Sequence, residues 1–151
     1  SDDSPLSLEE QRILDRNSHR IIMIHVNGPM SFGSAKDMIR RLESIKGFNQ
    51  FSCVVLDLTD VPTIDGTAAL AIEDMLVMVK NYGQHLFFVG MRPAVARILK
   101  GLGVLDQVQA GHRYALRLDA LRHAARISGS THPSDVPLQE EPASTIDRKA
   151  E

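Results

Sequence analysis

Cysteine is nearly absent from this chain: of its 151 residues one is cysteine, Cys53, and it sits inside an apolar run. A disulfide framework and a multi-cysteine zinc site are thereby excluded within one chain, and Cys53 reads as a small buried core residue. Long hydrophobic runs are missing as well. No stretch of about 18 apolar residues occurs and no signal peptide opens the sequence, so the polypeptide as given is expected to be soluble and cytoplasmic. An excess of one charge is lacking too, since 17 basic residues meet 19 acidic ones for a formal charge of -2. Without a surplus of cations to meet a phosphate backbone, nucleic acid is not an expected partner. The sequence starts at Ser1 without a methionine, which points to a processed chain or a piece of a longer one.

Reactive constellations are equally sparse. The histidines His19, His25, His85, His112, His123 and His132 are scattered, with no HExxH, no His-x-His pair and no acidic triplet at metal-loop spacing. No G-x-S-x-G elbow, G-x-G-x-x-G turn or G-x-x-x-x-G-K-[ST] loop is present, so hydrolase, dinucleotide and P-loop readings lack their mechanical parts. His25 and His85 fall in apolar strands and read as hydrogen-bonded core or rim residues. No metal, no cofactor and no catalysis is expected.

What is present is a repeated beat. With 43% hydrophobic residues the chain can build one core, and one domain over residues 1–128 is expected. Ser7 followed by Glu10 fits a capping box that opens a short helix. Residues 20–28, RIIMIHVNG, are almost wholly apolar and read as a strand covered on both faces. PMSFGSA then reads as a loop, and residues 35–45 as a helix closed by Gly47. Residues 51–58 form a second strand and residues 66–82 a helix whose left-handed C-cap is Gly83. Residues 84–90 form a third strand, RPAVARILKGLG a helix with Pro93 in its first turn, VLDQVQA a short final strand, and ALRLDALRHAARI an amphipathic helix. Strand and helix in alternation predict the α/β class, with a mostly parallel central sheet of about four strands and crossover helices.

Two segments differ in charge. From residue 129 on, Ser, Pro, Glu and Thr dominate, and two basic residues against five acidic ones leave -3, so a disordered acidic tail is expected over 129–151. Residues 91–127 carry seven Arg or Lys against Asp106 and Asp119, a local +5. That is either a solvated helical face or a face for an acidic partner or an anionic membrane surface.

The most specific stretch is VVLDLTDVPTIDGTAALAIEDM. Asp57 lies near the end of a buried strand, Pro62 interrupts further pairing, and Asp65 stands where its carboxylate can accept the free amides of a helix start. Gly66 and Thr67 follow with an exposed backbone and a hydroxyl at the positive end of that helix, a geometry suited to capping or to an anion. The residues Asp57, Thr59, Val61, Ile64, Asp65, Gly66 and Thr67 resemble, in order, the core motif of STAS domains. The resemblance runs from about residue 20 to residue 127.

STAS domains occur as free-standing anti-sigma-factor antagonists and as the cytoplasmic C-terminal part of SulP-family anion transporters. In the antagonists the residue after the aspartate is the serine that a partner kinase phosphorylates; here it is Gly66, and Thr67 could serve only with the register slipped by one. VNGPMSFGSAKDM is similar to the SulP segment leading from the first strand into the first helix, and the overall similarity is greater to bacterial bicarbonate transporters than to sulfate ones. The resemblance implies a non-catalytic domain on the cytoplasmic side of the membrane, with the membrane part of the same transporter as partner and a homodimer as its assembly. A regulatory protein or a nucleotide is a further possible partner. Pro29, Met30, Ser31 and Phe32 with Asp65, Gly66 and Thr67 are then expected to form one contact surface. The antagonist, switched by phosphorylation, is the alternative.

Overall fold

In the computed structural model of this chain the described residues are 5–129. They form α1 (Leu8–Arg16), β1 (Ile21–Asn27), α2 (Phe32–Glu43), β2 (Cys53–Asp60), α3 (Gly66–Asn81), β3 (His85–Val89), α4 (Pro93–Gly101), β4 (Arg113–Tyr114) and α5 (Arg117–Ile127), with single 3-10 turns at Phe48–Gln50 and Leu105–Gln107. The four strands make one sheet in the order β1-β2-β3-β4, and every neighbouring pair is parallel.

That order dictates where the helices go. Parallel crossovers are right-handed, so a sheet that adds each new strand on the same side must send all its crossover helices to one face. Helices α2, α3 and α4 occupy it, and their apolar sides close over Val54, Leu56, Leu58 and Phe88 in the larger core. The other face is covered by the two helices that are not crossovers: Ile13 of α1 and Ala120, Leu121, Ala124 and Ala125 of α5 enclose Cys53, Val55, Phe87 and Val89. Phe87 and Phe88 serve opposite cores because successive strand residues point to opposite faces.

The caps follow local chemistry. Ser7 and Glu10 form the expected capping box at α1, Pro93 stands in the first turn of α4, and Gly83 follows α3 at φ 72°.

Four expectations are corrected. Helix α2 starts at Phe32, not at residue 35, because Ser31 and Ser34 cap each other's backbone and turn the expected loop PMSFGSA into a helix start. It also ends at Glu43, and Gly47, at φ 76°, opens the following 3-10 turn instead of closing the helix. Strand β1 lies at the sheet edge, so residues 22–26 are half-buried and not covered on both faces. VLDQVQA is not a strand: the Val104 amide returns to the Leu99 carbonyl at 2.9 Å to finish α4, and a 3-10 turn follows. The fourth strand is the two-residue Arg113–Tyr114, too short to show a period. The tail expected over 129–151 lies, from residue 130 on, outside the described residues.

Candidate functional site at two adjoining helix starts

Past β2 the chain cannot extend the ladder, because Pro62 has no N–H to donate. Ile64, 4% exposed, instead forms a single parallel bridge with Met30, 3% exposed. The Met30 amide donates to the Thr63 carbonyl at 3.0 Å, and the Asp65 amide to the Met30 carbonyl at 3.2 Å. Two apolar plugs thus bring the starts of α2 and α3 side by side, with Ser31 capping one helix and Asp65 the other. Both positive helix ends are placed at one corner of the molecule.

Asp65 Oδ1 accepts the Ala68 amide at 2.7 Å and the Thr67 hydroxyl at 2.8 Å. These two bonds, the amide above all, hold its carboxyl below the usual carboxylate range. Of the seven residues singled out in the sequence, Pro29, Ser31, Phe32, Asp65, Gly66 and Thr67 are exposed. Met30 is not: it is a core plug that positions the corner from inside. Phe32 is 46% exposed, and Lys36 stands 5.9 Å from its ring centroid.

The aspartate of the motif has a different task. Asp57, 2% exposed, takes the Thr59 hydroxyl at 2.6 Å and the Thr59 amide at 3.0 Å on Oδ1, while Oδ2 lies 3.5 Å from Arg117 of α5. Arg117 in turn grips Glu10 of α1 with a two-pronged fork at 3.1 and 3.2 Å. Burial pushes the Glu10 carboxyl up, but that fork and the Ser7 amide outweigh it and leave the group below its ordinary value. One guanidinium therefore ties α1, β2 and α5 together. Sequence reasoning found Glu10 as a cap and missed this second role, which leaves no local signal because Arg117 lies 107 positions away.

In the basic segment over 91–127, Arg92, Arg117 and Arg122 find partners within the chain. Arg122 lies 2.5 Å from Glu9, Arg117 holds Glu10 and Asp57, and Arg92 donates to the Thr59 carbonyl at 2.9 Å. Among the described residues no three His, Cys, Asp or Glu side chains are grouped to hold a metal ion, and no helix is long and apolar enough to cross a membrane. His25 bonds to Asp60 at 2.8 Å at the rim of the sheet.

An Asp-x-Thr step in the last residues of the second parallel strand, followed by an Asp-capped helix that abuts the first crossover helix, is the arrangement that the resemblance to STAS domains implies. The family model for the STAS domain matches residues 12–118, and the chain belongs to that family. It is 32% identical over 136 residues to the bicarbonate transporter BicA of Synechocystis, covering 90% of this chain and 24% of that protein. The chain thus spans about a quarter of that relative's length. Its fold is similar to that of the STAS domain of a SulP transporter from Vibrio cholerae, with TM-score 0.65 and 22% identity over 80% of this chain and 96% of that one. It is also similar in fold to a Thermotoga maritima protein described as an anti-sigma factor antagonist, with TM-score 0.58 and 21% identity over 70% and 88%.

Proposed function

We propose that this chain is the cytoplasmic STAS portion of a SulP-type transporter of bicarbonate, acting by contact and not by catalysis. The observation that carries the reading is the 32% identity to a bicarbonate transporter over 90% of the chain. On this reading the domain pairs with a second copy and biases the motion of the membrane part. The exposed residues Pro29, Ser31, Phe32, Asp65, Gly66 and Thr67 are the contact surface, open also to a regulatory protein or a nucleotide.

The test is uptake of labelled bicarbonate by vesicles holding the transporter with this domain in place. Phe32→Asp and Thr67→Asp should each lower uptake several-fold at an unchanged amount of protein in the membrane. Uptake equal to wild type in both would remove the surface from the proposal, and uptake unaffected by deletion of residues 5–129 would sink the reading itself.

The likeness to the antagonist fold, together with the exposed Thr67 hydroxyl, favours a phosphorylated switch as the second reading. A Cβ at Gly66 would come no nearer than 3.9 Å to Leu102, so Gly66→Ser fits without strain. A cognate kinase that adds a phosphate mass to wild type at Thr67 would favour the switch; transfer to Gly66→Ser alone would show that this chain has lost it.

A further inference from the structure

Three histidines that are distant in sequence meet on the face of the sheet covered by α5. His85 Nδ1, at the start of β3, lies 3.2 Å from His112 Nε2, just before β4. The other nitrogen of His112 is 3.3 Å from the Ala110 carbonyl, which makes Nδ1 the donor there and leaves Nε2 to accept the His85 N–H. The His112 ring stacks on Phe87 at 4.3 Å and 4°, and the His123 ring from α5 stands edge-on to both. His123 Nδ1 is 2.7 Å from the Tyr114 hydroxyl of β4, and a backbone bond to Gly111 engages the same ring.

We propose that His85, His112 and His123 form an acid-sensitive latch: uncharged, they tie β4 and α5 to the sheet, and on protonation they release α5 and, through Arg117, loosen α1. The inference does not rest on the transporter reading.

Proton counting supports it. The His85–His112 pair can share one added proton, because one ring still keeps a lone pair for the other; a second proton sets N–H against N–H. A proton on His123 then enters a site whose acting charges are those of His112, Arg126 and His85, each positive when ionised. Burial acts in the same direction at His112 and His123, holding both below the ordinary histidine value, with His123 brought down to about 4. Around the cluster, Asp119, Arg122 and Arg126 share α5 with His123, and Arg113 shares β4 with Tyr114. Farther along α5, Glu9 and Glu10 of α1 and Asp57 of β2 are engaged by Arg122 and Arg117.

Hydrogen exchange of the whole chain at pH 7.5 and 5.5, corrected for intrinsic rates, tests the latch. Protection of residues 117–127 relative to residues 66–81 should fall about tenfold in acid, the response of one histidine that titrates at its ordinary 6.5 when released and at about 4 when latched. His123→Gln can keep both the Tyr114 and Gly111 bonds, and His85→Gln can still donate to His112, yet neither side chain titrates. His123→Gln should lose most of the acid response and His85→Gln a smaller part, because burial is the larger cause at His112 and His123 and the charge of His85 the lesser one; if one variant fails to fold the other carries the test. His25→Gln, outside the cluster, should behave as wild type. Equal loss of protection in both segments of the wild type, a wild-type response retained in the Gln variants, or abolition of the response by His25→Gln would overturn the proposal.

Discussion

Gly90 leaves β3 at φ 68°, and a Cβ built there would lie 2.1 Å from Thr59 Oγ1 and 3.0 Å from Thr59 Cα. Thr59 cannot step aside, because its hydroxyl is held by Asp57 at 2.6 Å and its carbonyl by Arg92 at 2.9 Å. Gly90→Ala therefore combines a left-handed backbone with an overlap against fixed atoms and should cost upward of about 2 kcal/mol in urea unfolding. Gly83→Ala is the internal comparison: at φ 72° with nothing within 4 Å, it should cost only the conformational part, about 1–2 kcal/mol. Equal losses would show that the contact with Thr59 is not what demands glycine. From the sequence Gly90 was legible as a strand end and Asp65 as a cap, since both depend on adjacent residues. The Gly90 contact was not, because it follows from the pairing of Asp57 with Val89 across β2 and β3.

Two guanidinium groups of α5 reach α1, Arg122 to Glu9 at the surface and Arg117 to Glu10 in the interior, and the buried one leaves both helices sensitive to substitution of Arg117. Arg117→Met would leave Asp57 at 3% side-chain exposure and Glu10 at 8% without their cation, and such an orphaned buried charge costs roughly 3–5 kcal/mol. Chemical denaturation should show that loss, and Arg117→Lys should recover only part of it, since an ammonium cannot fork across a carboxylate. In the double change Glu10→Gln with Arg117→Met the loss should be smaller than the sum of the two singles. A full sum would mean that the pair does not act as a unit. Helix α1 was readable from Ser7 and Glu10 because a capping box spans three residues. The grip of Arg117 on Glu10 was not, since 107 positions separate them. The fourth strand escaped for a related reason: a two-residue strand has no periodicity, whereas Val104, Leu105 and Val108 mimic one while they plug the end of α4.

For the molecule as a whole, acid should act in two stages. His112 and His123 are held below their ordinary value of 6.5, so between that value and the folded one, about 4 for His123, the unfolded chain binds more protons than the folded chain. Stability contributed by these groups is complete above pH 6.5 and drains away as pH falls toward 4. Glu10 has its carboxyl below its ordinary 4.5, so its contribution is present above that pH and is lost only in stronger acid. Urea midpoints from pH 8 to pH 3 should therefore fall first through the histidine range and again below it; in His123→Gln the first fall should shrink and the second should persist. By itself, the sequence determined that the helices form, the caps at Ser7, Asp65 and Gly83, the parallel alternation and the Asp-Gly-Thr corner, because each is decided by residues within a turn or a strand of one another. Tertiary structure alone decided that β1 lies at the edge, that α1 and α5 close the second face, that Met30 is core, and that Asp57 meets Arg117 and His85 meets His112 and His123. Those outcomes depend on strand order and on contacts between distant segments, and no local spacing encodes them.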